Sequence, residues 1–307
     1  MADILGSTSI PIVVHLQGIL GPCDNAFWPA GFNKSSFILP FSLNEWILRN
    51  GYIYAKKSIN VRAQHERHLF SKLQYAMGRT DWDKQCTSLM SPQAHYFHID
   101  EVLRPVFYEH VGEWKQSDAP EIRIITTISN TVYKGLDTVL KTAMLLKELC
   151  PISFEWRIAG ISGKENLVRF FERSLNIKSE DVNVKYLGIL SAETICKEEL
   201  QASMYVHPSN IDNSPNSLCE AQLLGVPCIT TNVGGTSSLV NHNKNGILVP
   251  SNAPFELAYF IKEIATDRGL ANTLSKEGSN TASTRHDKEK IRKEVLACYN
   301  TIIQQHQ

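Results

Sequence analysis

The chain has 307 residues, and its 31 lysines and arginines balance 31 aspartates and glutamates, so its formal charge is zero. Apolar residues make up 43% and charged residues 20%, which excludes a disordered chain. The balance also gives no electrostatic case for nucleic acid or an acidic membrane as the main partner. No continuous apolar run reaches the roughly 20 residues that cross a bilayer. The opening MADILGSTSIPIVV has no basic stretch ahead of its apolar one, against a signal peptide. The cysteines, Cys23, Cys86, Cys150, Cys196, Cys219, Cys228 and Cys298, are scattered and never spaced as CxxC. That pattern suits reduced thiols in the cytoplasm better than a disulfide framework or a zinc site.

In chain order, PIVVHLQG (11–18) predicts a strand followed by a glycine turn, and residues 55–76 predict one long, charge-rich helix. DWDKQCTSLM (81–90) predicts a helix capped by Thr80 or Asp81, and AHYFHI (94–99) alternates like a strand. Two or three strands are too few for a complete doubly wound domain. From residue 122 the pattern becomes regular. Strand-like runs at 122–127, 154–160, 182–188, 204–209, 226–232 and 246–250 alternate with amphipathic stretches, such as Leu136, Val139, Leu140, Ala143, Leu146 and Leu149 at helix spacing. Such alternation predicts an α/β fold with a doubly wound parallel sheet. The expected division is a partial N-terminal domain over 1–118 and a C-terminal domain over 119–285. A terminal helix over 286–307, with Ile291, Val295, Cys298 and Ile302 along one side, is expected to pack back on the N-terminal part.

Ligands of doubly wound sheets sit where strand ends turn into helices, and four such turns carry unusual residues. The first runs from Ser129 to Lys134 and Gly135. A lysine before a helix N-terminus can pair with phosphate while backbone amides and the helix dipole add to the field; the plain alternative is a solvated loop lysine. In the second, Asp212 precedes a helix starting near Pro215 or Asn216, and Glu220 follows eight positions later. Amides at that start, from Pro215, Asn216, Ser217 and Leu218 onward, would face an anion, and the carboxylates could accept hydrogen bonds from vicinal hydroxyls. The plain alternative makes Asp212 a turn residue and Glu220 a helix-surface charge. The third turn holds Gly234 and Gly235, and the fourth Gly160 and Gly163. Glycines let backbone approach a ligand closely, and four such turns on one sheet edge point to a nucleotide-type ligand.

The string PSNIDNSPNSLCEAQLLGVPCITTNVGGTSSLVNHNKNGILVP (208–250), with YKGLD (133–137), RIAG (157–160) and VKYLG (184–188), resembles the C-terminal domain of family 4 retaining glycosyltransferases. GRTDWDK (78–84) through YFHIDEVLRPVFYE (96–109) resembles the end of the N-terminal domain in bacterial polysaccharide-synthesis members. The resemblance implies a GT-B fold with an incomplete Rossmann-like N-terminal domain. It implies transfer of a sugar, with retention, from a UDP- or GDP-linked donor to a hydroxyl of a glycan or lipid-linked acceptor, with no cofactor and no metal. It also implies a cytoplasmic protein, with peripheral contact at the inner membrane face compatible with that chemistry. By the same resemblance Asp212 contacts donor-sugar hydroxyls, Glu220 the ribose hydroxyls and Lys134 the diphosphate.

The departures are specific. Asp212 stands where glutamate is usual, and Ser129 where an arginine partner of Lys134 is usual, so Arg79 is a candidate replacement. Ser238 stands where an acid is common. Gln17 falls where many members carry a histidine, and His15, two residues earlier, is on the same strand face. The glycine-rich loop and first strand–helix units of such enzymes are not found, so the chain reads as N-terminally shortened. A nucleotide-sugar-binding remnant without catalysis, or a GT-B sugar-nucleotide epimerase, are the alternative readings. His65 with His68, and His95 with His98, lack a further ligand at metal spacing. Lys56, Lys57, Arg62, Arg67 and Lys72 form a basic helix face, solvated or meeting phosphates of a lipid-linked acceptor. Trp46 and Trp82 read as core anchors.

Overall fold

The computed structural model describes residues 10–32 and 51–306; Trp46 lies outside the described residues. Among these residues, two parallel sheets carry the fold. Among the described residues of the first half the elements are β1 (Val13–His15), α1 (Leu20–Asn25), α2 (Tyr52–Phe70), β2 (Tyr75–Gly78), α3 (Asp81–Met90), β3 (His95–His98) and α4 (Pro105–Tyr108). The three strands pair in the order β1-β2-β3. The single helix expected over 55–76 is therefore corrected. It starts at Tyr52, ends at Phe70, and its last expected residues begin the central strand, whose four residues are all buried. A strand covered on both faces reads as a short apolar run without alternation, which periodicity cannot separate from the end of a helix. Thr80 caps α3: its hydroxyl accepts from the Asp83 amide while the Asp83 carboxylate accepts from the Thr80 amide.

The second half runs β4 (Glu121–Thr127), α5 (Leu136–Leu149), β5 (Ser153–Ala159), α6 (Asn166–Leu175), β6 (Val184–Gly188), α7 (Ala192–Leu200) and β7 (Met204–His207). It continues through α8 (Asn216–Leu224), β8 (Cys228–Thr231), β9 (Ile247–Val249), α9 (Pro254–Thr266), α10 (Arg268–Arg285) and α11 (Lys288–Gln304). The strands form a six-stranded sheet in the order β6-β5-β4-β7-β8-β9. The chain lays β5 and β6 to one side of β4, then returns to lay β7, β8 and β9 on the other. The loops after β4 and β7 thus part at the topological switch point, where the fold leaves a crevice at the strand ends. Ile124, Ile125, Trp156, Ile158, Tyr205 and Val206 are fully buried in this sheet, each side chain contributing about 1.5–3 kcal/mol of burial.

The two sheets are joined by a buried polar seam. Thr80 donates to Asn213 Oδ1 at 2.7 Å, and Asn213 donates to Asp83 Oδ2 at 3.0 Å. Helix α11 places Ile291, Cys298 and Ile302 against Tyr75 and Met77 of the smaller sheet and Ile99 just after it. Between α10 and α11, the buried His286 donates from Nδ1 to the Glu101 carbonyl at 2.7 Å. Burial pushes the imidazole down to about 4, with Asp100 opposing and Arg285 and Arg79 adding. The unfolded chain, with an ordinary imidazole, takes up its proton first as pH falls below about 6.5. Stability from this group is therefore complete above that pH and declines down to about 4, by up to about 3 kcal/mol. His286→Gln is expected to flatten that part of the pH–stability curve from urea unfolding; parallel curves for the two proteins would refute it.

Candidate active site

Two loops build the site at the switch point. After β4 a 3-10 turn, Val132–Lys134, ends at Gly135, which adopts φ +81° and leads into α5. A Cβ on Gly135 would lie 2.0 Å from the Pro208 carbonyl oxygen, so only glycine lets the two site loops touch. The same holds across the site. Cβ atoms on Gly160, Gly234 and Gly235 would lie 2.2, 1.9 and 2.2 Å from the carbonyl oxygens of Ile128, Asp212 and Asn213. The room these glycines supply is taken by neighbouring backbone rather than held open for a ligand.

Lys134 Nζ lies 2.6 Å from Asp212 Oδ2, and His207 Nε2, at the buried end of β7, lies 3.1 Å from the same oxygen. Burial alone would raise the Asp212 carboxyl, but the His207 hydrogen bond and the Lys134 charge outweigh it and hold the group well below the usual carboxylate range. Below it, α8 starts at Pro215 with no side chain capping it. The Leu218 and Cys219 amides bond the Pro215 carbonyl. Among the described residues nothing accepts from the Asn216 and Ser217 amides, so positive helix potential is left at that end. Ser217 is fixed by the Tyr205 hydroxyl at 2.8 Å.

Two cavities meet at the ion pair. One, of about 390 Å³, is lined by Ser129, Gly160, Pro215, Asn216, Ser217 and the Lys134–Asp212 pair. The other, of about 500 Å³, lies between the sheets and is lined by His15, Gln17, Trp82 and, again, Lys134 and Asp212. Trp82 is thus a half-buried cavity wall rather than a core anchor. Ser129 bonds Thr131 at 3.1 Å and offers no charge. Arg79 reaches Asn216 Oδ1 at 3.2 Å from the other sheet, but an ion pair with Glu101 already engages it. Its charge is therefore shared, not free to replace the missing arginine. Gln17 lies 3.5 Å from His15 Nδ1. Desolvation and then the Arg79 charge lower the His15 imidazole below its ordinary value. Ser238 accepts from the Asp81 amide at 3.0 Å, a tie between the halves.

Glu220 is 1% exposed, not a surface charge. Arg104, at the start of α4, grips it side-on, Nε to Oε1 and Nη2 to Oε2 both at 2.7 Å. The guanidinium stands over the Phe107 ring at 4.9 Å. Sequence reasoning missed Arg104; the only local signal was an arginine before a proline that starts a helix. It also missed Glu199, fully buried with both carboxylate oxygens unpartnered among the described residues. Burial, then the Glu220 charge, push Glu199 well above the usual range. Among the described residues no group of three or more histidine, cysteine or acidic side chains is placed to hold a metal. None of the helices there is long and apolar enough to cross a membrane.

Comparisons with known proteins agree with this architecture. A putative colanic acid biosynthesis glycosyltransferase, WcaL of Escherichia coli K12, is 29% identical over 149 residues, 47% of this chain and 36% of that protein. An Escherichia coli UDP-Gal:alpha-D-GlcNAc-diphosphoundecaprenol alpha-1,3-galactosyltransferase is 34% identical over 104 residues, 33% of this chain and 26% of that protein. The matched stretches thus span about a third of the length of these curated relatives. The crystal structure of Anabaena Alr3699/HepE in complex with UDP superposes with a TM-score of 0.67 at 16% identity, covering 98% of this chain and 77% of that one. The fold is accordingly the GT-B arrangement of two parallel-sheet halves. The family described as glycosyl transferases group 1 matches residues 114–281, the span that holds Lys134, Asp212 and Glu220, and the chain belongs to that family.

Proposed function

We propose that the chain moves a sugar from a UDP- or GDP-linked donor to a hydroxyl of a glycan or lipid-linked acceptor, with retention and without a metal. One observation carries the reading: Lys134 and Asp212 line both the cavity at the sheet edge and the cavity between the sheets. A donor in the first and an acceptor in the second would meet at this pair. The diphosphate then draws Lys134 away from Asp212 and lies at the start of α8, where lysine and amides supply the positive field that the leaving group needs. Asp212, still beside His207, turns its freed lone pairs to the sugar hydroxyls. Glu220, fixed by Arg104, keeps its outer lone pairs for the ribose. With its freed lone pairs taken by sugar hydroxyls, the Asp212 carboxylate is a poor nucleophile, which favours attack by the acceptor oxygen on the face the diphosphate leaves. The new bond joins that oxygen to the anomeric carbon, the bond to the phosphate oxygen breaks, and the leaving phosphate takes the hydroxyl proton.

Thermal unfolding against UDP, GDP, ADP and their sugars tests the donor site. One nucleotide family at about 100 times its Kd should add about 2.7 kcal/mol, a rise of about 5–10 °C for a domain of this size. Glu220→Gln is expected to lose most of that shift. A flat response to every nucleotide would remove the donor site, and a free epimer formed without acceptor would replace transfer with epimerisation.

A further inference from the structure

The cavities do not end at the reacting groups. A third cavity, of about 670 Å³, is lined by Tyr52, Arg62, Asn130, Tyr133, Lys164 and Glu165, and it shares Arg62 and Tyr133 with the cavity between the sheets. The three spaces are thus neighbours in series, the first two sharing Lys134 and Asp212 as wall residues and the last two Arg62 and Tyr133. We propose that this third space is an acceptor subsite for an oxyanion, a phosphate or a carboxylate carried by the acceptor saccharide, with Arg62 as its anchor and Lys164 as a second cation.

The charges on its walls favour an anion. Glu165 accepts from Asn130 Nδ2 at 2.9 Å. Lys56, on the same helix as Arg62, is taken by Asp24 at 2.5 Å. Glu66, one turn after Arg62, feels its charge but directs its carboxylate to the amides of Leu20 and Gly21 at 2.9 and 3.1 Å. Among the described residues, neither the Arg62 guanidinium nor the Lys164 ammonium makes a hydrogen bond or an ion pair, so the wall offers two free cations and one engaged acid. A guanidinium presents paired donors that match phosphate and carboxylate oxygens. Tyr133, which lines both cavities, lies between the anion and the reacting hydroxyl, with the Lys134 ammonium over its ring at 5.9 Å. The substrate this selects is an extended, anionic acceptor rather than a neutral monosaccharide. The assignment rests on the reading that Lys134 and Asp212 mark the place of transfer.

The test is calorimetric binding of three probes to the chain, R62Q and K164Q: farnesyl-diphosphate-linked N-acetylglucosamine, octyl β-glucuronide and neutral octyl β-glucoside. At least one charged probe should bind more tightly than the glucoside. R62Q should weaken it by about tenfold, K164Q by less, and added salt should weaken it further. Which charged probe binds tells diphosphate from uronate. The assignment is overturned if R62Q binds the charged probes as the parent does, if the glucoside binds equally well, or if neither charged probe binds. Nucleotide-dependent unfolding of the same samples keeps the two readings apart. A retained nucleotide shift with flat probe titrations removes the subsite alone, whereas no nucleotide shift in the parent chain removes the transfer site beneath it.

Discussion

Lys134→Met is expected to lower kcat by about two to three orders of magnitude, the cost of deleting one preorganised group that meets developing negative charge. The assay uses the nucleotide sugar that the unfolding panel identifies. Lys134 sits on a 3-10 turn fixed by Gly135 and by the Asn210 amide on the Tyr133 carbonyl at 2.8 Å, so its backbone does not depend on its ammonium. Methionine keeps the apolar stem. Asp212 retains His207 at 3.1 Å, which limits the damage to the folded state, and the midpoint should move by only a few degrees. KM for the donor should rise far less than kcat falls, because the charge on the bridging oxygen grows as the bond breaks. Lys134→Arg should recover part of the rate, since arginine restores a cation beside the diphosphate. A kcat within threefold of the parent in Lys134→Met would mean that another group meets the leaving diphosphate, and Arg79, already turned toward Asn216, would be the first to test.

What the sequence made legible follows from what is local. The alternation from residue 122 onward reads correctly because each strand of the larger sheet is an apolar run bounded by turn residues, and the helices between carry a 3.6-residue period. Asp212 and Glu220 read as a pair because helix α8 starts between them, so their spacing alone sets them at one end of one helix. Their partners are not local. Arg104 lies 116 positions from Glu220, brought there because α4 packs beside α8 and α7. Lys134 meets Asp212 only because the chain returns past β4 to lay down β7, and nothing in either loop encodes that strand order. The same limit explains Tyr75–Gly78: its identity as the middle strand of the smaller sheet depends on β1 and β3 beside it. The glycines were legible as necessary, but not for whom. Backbone crowding at Gly135 and Gly234 uses the freedom that reads, in sequence, as space for a ligand.

Arg104 itself gives the second large effect. Arg104→Met is expected to weaken nucleotide binding by about tenfold or more and to erase its dependence on the ribose hydroxyls. The reason is geometric. A carboxylate has about four lone-pair sites; Arg104 fills one on each oxygen at 2.7 Å and so fixes the plane in which the outer two point. Without it, a carboxylate 1% exposed is left beside Glu199 with no cation, and breaking such a pair costs several kcal/mol when both partners are buried. Arg104 is 42% exposed in its side chain, so the loss of fold stability should be at the low end, about 2 kcal/mol. Calorimetry with UDP (or GDP, whichever the panel selects) and its 2′,3′-dideoxy analogue separates positioning from mere stability. The parent should favour the ribose form by tenfold or more, while Arg104→Met should bind both forms alike and Arg104→Lys should keep part of the preference. A variant that binds more weakly yet keeps the full ribose preference would show that Glu220 finds its orientation elsewhere, and that Arg104 acts only as the counter-charge of a buried acid.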